Sequence, residues 1–309
     1  MKARASPARV WAALAVVYVV WGSTYLFILL AERTLPVFVM SSLRFLIAGG
    51  LLYAWSIGRG DRNDRPTRRQ WLSAAIIGAG LFLGGNAGVA WAEKRVDTGI
   101  ASLIIAAVPL WMALFDRVAC GQRLSRTAVT GLGIGFGGVA LLAWPSGPSH
   151  IDIEGAIALL VSGAAWASGS LYSRRAPLPR RQFVSAAMQM LTGGAMLAVV
   201  AAATGEWTSI HHVSTESILS LVYLISIGSW LAFTAYAWLL RTTRTSLVST
   251  YAYVNPLVAV FLGWAVESEP ISARTIVAGL VILAAVALIV TPPKGERATE
   301  PAPVPVRGR

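Results

Sequence analysis

Charge is scarce in this chain of 309 residues: 13% are Asp, Glu, Lys or Arg, 56% are hydrophobic, and the mean hydropathy is +0.63. A soluble domain carries about 25% charged residues, so the composition excludes a water-solvated globule and places the chain in a bilayer. Cysteine is nearly absent. The single Cys120 excludes an internal disulfide and offers no metal-ligand spacing. Histidine is limited to His150, His211 and His212, and the adjacent last two cannot share a helix face as a metal pair four apart would. No metal or cofactor is expected. Ser and Thr are plentiful, but no base accompanies any of them in mid-membrane, which argues against an enzyme. The net charge of +12 is not a nucleic-acid signature, because the basic residues form short tracts between apolar runs without an aromatic platform.

Spanning the hydrocarbon takes about 20 apolar residues per helix. Ten such runs are present: Val10–Leu30, Pro36–Ile57, Trp71–Trp91, Gly99–Phe115, Ala128–Trp144, Gly155–Ser173, Gln182–Ala203, Ser217–Leu240, Leu247–Val266 and Thr275–Val290. The first has no small-residue cleavage site before Glu32-Arg33 and reads as an uncleaved span. With the N-terminus inside, 21 of the 26 Lys and Arg fall in cytoplasmic segments. Only Arg33, Lys94, Arg95 and Arg274 fall outside, and Arg44 lies within a span. Both termini are therefore expected in the cytoplasm. The Arg to Lys ratio, 23 to 3, fits GC-rich coding, and a bacterial inner membrane is the expected location.

The chain repeats itself weakly. Residues 91–125 align on 238–272 at an offset of 147, matching Trp91 with Trp238, Pro109 with Pro256 and Ser125 with Ser272. The turn charges invert, the basic Gly121–Ser125 segment answering to Ser268-Glu269-Pro270 after Glu267. An offset of 145 matches Trp21 with Trp166, Gly49 with Gly194 and Arg44 with Gln189 in the earlier parts of the halves. Five spans per half reverse the second copy in the membrane. The expectation is an all-α polytopic membrane protein, ten transmembrane helices as two inverted five-helix repeats (10–144 and 153–290) around a central cavity. The proline-rich tail, 291–309, is expected to be disordered.

Four stretches in order carry a family likeness: Trp21-Gly-Ser-Thr-Tyr-Leu, Ser42-Leu-Arg-Phe-Leu-Ile-Ala-Gly-Gly, Gly85-Asn-Ala-Gly-Val-Ala-Trp-Ala-Glu and Val108-Pro-Leu-Trp-Met-Ala-Leu. They resemble the EamA-like branch of the drug/metabolite transporter superfamily, over roughly residues 10 to 290. The resemblance implies two inverted EamA repeats, a central substrate cavity and secondary transport, commonly export of amino acids, other metabolites or drugs.

Candidate cavity residues are those whose chemistry is wasted on lipid. Arg44 lies about 12 Å below the outer boundary at the helical rise, where insertion of an arginine costs about 2.5 to 3.5 kcal/mol. It is either a substrate carboxylate anchor or a clamp on backbone carbonyls, Glu93 or Glu32. Trp21, Thr24, Tyr25 and Ile28 share one helix face, as an aromatic wall or as core packing; Trp166 and Gln189 are the second-half equivalents of Trp21 and Arg44. Asn86, with Ala90 and Glu93, forms another face, and Asn86 is a helix tie or a substrate contact. Tyr251 and Asn255 precede Pro256, which with Pro109 makes paired bends, either hinges for alternating access or static kinks. Gly131/Gly135 and Gly133/Gly137 are small-residue spacings for close helix packing. No Asp or Glu lies deep in a span, so downhill facilitation or exchange is expected rather than a proton relay, with Glu93 the sole candidate for coupling. A small-molecule substrate and the lipid bilayer are the expected partners, without nucleic acid; the sequence does not set the oligomeric state and is compatible with a monomer. Alternatives are a carrier of phosphorylated or nucleotide sugars, which needs several basic residues in the cavity where Arg44 alone is evident, and a non-transporting membrane receptor or packing protein.

Overall fold

The structure, a computed structural model, describes residues 6–58, 65–120, 126–143, 152–242 and 251–290. The first half contains α1 (Pro7–Glu32), α2 (Val37–Gly58), α3 (Arg68–Glu93), α4 (Thr98–Ile105), α5 (Val108–Cys120) and α6 (Arg126–Ala143). The second contains α7 (Ile153–Ser173), α8 (Gln182–Ala203), α9 (215–242), α10 (Tyr251–Glu267) and α11 (Ala273–Val290). Six of these, α1, α2, α3, α7, α8 and α9 over Thr215–Tyr236, are long and apolar enough to cross a membrane. The others are shorter apolar helices. The Gly121–Ser125 turn and the 291–309 tail lie outside the described residues.

Helix starts are fixed by caps, since a backbone N–H left unpaired beside hydrocarbon is costly. Ser6 accepts from Arg9 N with Pro7 in the first turn, Thr67 and Gln70 form a reciprocal capping box, and Ser214 accepts from Ser217 N. The helix α8 ends after Thr204 at Gly205, whose φ of 73° is the left-handed conformation that glycine adopts without strain.

The halves pack as exchanged copies. Helix α1 lies against α9 and α10, and its counterpart α7 lies against α3 and α4–α5; α2 crosses α8, and α6 lies along α11. At the α2–α8 crossing the matched glycines remove the side chains that would hold the backbones apart. A Cβ at Gly49 would stand 2.9 Å from Met190 Cβ, and one at Gly194 would stand 3.0 Å from Leu46 N. Each half also contains one eight-residue π-helical stretch, Ala79–Asn86 in α3 and Leu224–Leu231 in α9. Their starts differ by the offset of 145 seen in the sequence.

Two expectations need correction. The two prolines do not occupy equivalent places in their helices. The chain breaks at Ala106–Ala107, so Pro109 sits in the first turn of α5, where its missing N–H leaves no intrahelical bond unmade, while Pro256 lies inside continuous α10. In α6 the packing glycines are Gly135 and Gly138. A Cβ at Gly135 would collide with Leu110, and one at Gly138 would stand 3.0 Å from Ile282 Cγ1, whereas Gly133 and Gly137 face open space.

One end of the bundle carries an ion-pair network. Arg33, just beyond α1, reaches Glu216 at 2.9 Å and Glu267 at 2.7 Å, joining α1 to the start of α9 and the end of α10. At the same end Glu206 accepts from Phe38 N and Val39 N at the start of α2, and Glu269 accepts from Thr98 N and Gly99 N at the start of α4. Each places a carboxylate on the positive end of a helix dipole. These are residues that the charge distribution puts outside.

Candidate functional site

A cavity of about 400 Å³ lies between the halves. It extends from Ile28 and Val89 to Leu171 and Arg174, at the opposite end of the bundle from Arg33. Both π-helical stretches line it, through Phe82, Gly85 and Asn86 in α3 and through Gly228 and Ser229 in α9. A π turn adds a residue to the helical repeat and shifts the side chains beyond it around the axis. Here it turns small and polar residues of two otherwise apolar helices toward the same space.

Of the predicted aromatic residues, Trp21 and Tyr251 meet in the cavity wall, packed against Tyr236, which does not itself line the cavity. Trp21 packs on Tyr236 at 5.0 Å and edge-on to Tyr251 at 5.1 Å, and Tyr236 meets Tyr251 at 5.9 Å, closing a three-ring cluster. Such contacts are worth about 0.5 to 1.5 kcal/mol each beyond their burial. Trp166 lines the cavity from α7, with Gly85 leaving room for its ring, and Tyr25 lines it from α1. Pro109 and Pro256 are both in the lining.

Arg44 is 6% exposed and lines the cavity from α2. Its Nε donates to Ser229 Oγ at 3.1 Å. Among the described residues no carboxylate stands within ion-pair distance of its guanidinium, neither Glu32 nor Glu93 included. Arg174, one residue past α7, is the second arginine in the lining, and among the described residues no Asp or Glu lines the cavity. The sequence assigned Arg174 to a cytoplasmic loop and counted Arg44 alone; Trp166, Ser170 and Arg174 at spacings of four were the available signal.

The remaining candidates divide. Asn86 lines the cavity while its Nδ2 donates to Leu81 O at 3.2 Å within the π-helical stretch. Asn255 also lines it, and its amide nitrogen donates to Tyr18 O and Tyr251 O, tying α10 to α1. Gln189 does not reach the cavity; it is buried and donates to Ser185 Oγ one turn back in α8. Glu93 is not in the lining either, and it is 4% exposed rather than at a solvated helix end. Ser229 and Tyr236 were missed, because nothing in the sequence marks where a π turn resets the face of α9.

A helical bundle of two matched halves around a central, largely apolar cavity fits a membrane transporter as a class. Comparison with known proteins gives the family. Residues 9–144 and 153–291 each match the EamA-like transporter family, and the chain belongs to it. It is 37% identical over 279 residues to an uncharacterized inner membrane transporter, YedA, of Escherichia coli (strain K12), covering 90% of this chain and 89% of that protein. An uncharacterized transporter of Bacillus subtilis (strain 168), YvbV, is 24% identical over 92% of both chains. A protein of known crystal structure shares the fold with a TM-score of 0.61 at 21% identity, over 92% of this chain and 96% of that one. The protein is a membrane transporter and not an enzyme.

Proposed function

We propose that the protein exports small amphiphilic carboxylates by alternating access, through ten spans arranged as two inverted repeats in a bacterial inner membrane with both termini cytoplasmic. The observation that carries this reading is the cavity's charge: among the described residues its lining holds two arginines, Arg44 and Arg174, and no acidic residue. A guanidinium without a carboxylate partner in an apolar site is a receptor for one, since its fork of donors holds a carboxylate through two parallel hydrogen bonds. Trp21 and Tyr251 supply flat apolar surface in the same lining, and the volume suits a solute of amino-acid to drug-fragment size. Aromatic amino acids and their deaminated 2-oxo acids meet both requirements, and a lipophilic cation meets only one. The Arg33 network closes the outer end while the cavity reaches the inner one, which is a carrier poised to load from the cytoplasm. The two arginines also admit a phosphorylated sugar, but the aromatic cluster favours the apolar carboxylate.

The experiment is flux of labelled phenylalanine, phenylpyruvate and tetraphenylphosphonium in proteoliposomes holding wild type, Trp21→Ala or Arg44→Gln. Saturable carboxylate flux that both variants lose supports the assignment. Flux of the cation alone, or flux indifferent to both substitutions, contradicts it.

A further inference from the structure

Besides Glu216 and Glu267 of the Arg33 network, four glutamates gather toward the outer end of the bundle, and they are of two kinds. Glu206 and Glu269 accept backbone N–H groups at the starts of α2 and α4. Glu32 and Glu93 are 6% and 4% exposed, and all four of their carboxyl oxygens are buried without a hydrogen-bond partner in the protein. A carboxyl group so placed is tolerated when neutral and costs several kcal/mol when ionised without compensation.

Their position is specific. Glu32 lies four residues beyond Ile28 on α1, and Glu93 lies four beyond Val89 on α3, and both Ile28 and Val89 line the cavity. The i, i+4 spacing continues the cavity-lining faces by one turn, so the carboxyls stand between the cavity and the Arg33 network. The apolar cluster of Ile28, Ala31, Met40, Ala90 and Leu224 surrounds this level. The charged and titratable groups that act on Glu93 are Glu32 and Tyr25 from α1, Arg44 from α2 and Glu269 beyond α10; those that act on Glu32 include the exposed Lys94 and Glu206. Within this group Arg44 is the one buried cation. It neutralises one buried negative charge and not two.

Resting on the carboxylate reading above, we propose that Glu32 and Glu93 form a proton site beyond the cavity, filled when a substrate carboxylate occupies Arg44, so that carboxylate and proton cross the membrane together. In the empty carrier the field of Arg44, which reaches the glutamates without an ion pair, offsets the charge of one of them, and the other holds a proton. A substrate carboxylate takes over Arg44, and the remaining glutamate takes a proton from water on the loading side. Opening of the outer end exposes the site, and solute and proton leave to the same side. The pair thus acts in coupling, which the sequence reserved for Glu93 alone.

The site and the coupling are tested separately in the full chain reconstituted in liposomes. Infrared difference spectra of the empty carrier at neutral pH are expected to contain a protonated-carboxyl C=O band that is lost in Glu32→Gln, in Glu93→Gln and in the double variant, because the single glutamate left is the one that Arg44 offsets. A band indifferent to the double variant, or none in wild type, overturns the site. With an entrapped pH dye, phenylpyruvate efflux through wild type is expected to alkalinise the lumen in proportion to the solute lost, and the double variant is expected to lose that proton movement. Saturable efflux without lumen alkalinisation overturns the coupling and leaves the transport reading standing. An intact infrared band without any saturable phenylpyruvate movement overturns the carboxylate reading and the coupling with it, and leaves the buried proton site.

Discussion

Replacing Arg44 by methionine separates an anchor from a clamp, because the two roles require opposite effects on stability. A side chain of similar length and no charge keeps the packing against Phe45 and the cavity wall. What is lost from the folded state is the hydrogen bond to Ser229, worth about 1.5 to 3 kcal/mol for a charged donor. What is recovered is the burden of holding a guanidinium in the membrane without an ion pair, about 2.5 to 3.5 kcal/mol. These nearly cancel, so Arg44→Met is expected to unfold at a temperature equal to wild type or slightly above it. A clamp paired with Glu32 or Glu93 would instead lose about 3 to 5 kcal/mol on truncation. Ligand binding moves the other way. A carboxylate held in the fork loses about 3 kcal/mol, roughly a hundredfold or more in affinity. Thermal unfolding of the purified protein reads both quantities. Wild type at phenylpyruvate concentrations about 100 times Kd gains about 2.7 kcal/mol, and the variant at the same concentration is expected to gain almost none. A variant that melts several degrees lower and still responds to phenylpyruvate like wild type would refute the anchor and restore the clamp.

The remaining predictions concern the frame around the cavity. Gly49→Val is expected to lower stability by about 1 to 3 kcal/mol, because its Cβ would press on Met190 and the α8 backbone, while neighbouring Gly50→Ala, with nothing within 4 Å, should be neutral or slightly stabilising; melting temperatures of the two check this. Glu267→Gln weakens a network whose members are partly exposed, so the gain is limited to about 1 kcal/mol and the outward-open population should rise up to about fivefold. Labelling of a cysteine at Ile28 by a membrane-impermeant reagent from outside, in a Cys120→Ser background, reads that change and should grow with salt in wild type. Glu206→Ala removes the cap on α2 and is expected to cost about 1 kcal/mol, read by thermal unfolding.

Hydropathy made the all-helical membrane architecture legible, because it reflects the solvent and not the packing. The offset of 145 was legible as well, and it relates Gly49 to Gly194 and one π-helical stretch to the other. The stretches themselves were not foreseen: a π turn in α3 or α9 is set by packing against α7, α8 and α1, and no local residue pattern announces it. This is why Ser229 and Tyr236 were missed and why Gln189, the formal partner of Arg44, faces Ser185 in its own helix. Pro109 and Pro256 looked equivalent, yet one follows a chain break and the other sits inside a helix. Glu32 and Glu93 looked solvated because they end apolar runs. Their burial comes from neighbouring helices that extend past them, which one helix's sequence does not record.

The most direct test of the account compares a carboxylate with its own amide. Phenylpyruvate and phenylpyruvamide differ in the group that Arg44 and Arg174 are assigned to hold and share the aromatic body that Trp21 and Tyr251 are assigned to stack. In counterflow of labelled phenylpyruvate through wild-type proteoliposomes, unlabelled phenylpyruvate is expected to compete at least tenfold more strongly than the amide, and Arg44→Gln is expected to erase the difference. Equal competition by acid and amide in wild type would contradict the claim that the cavity's arginines select the substrate.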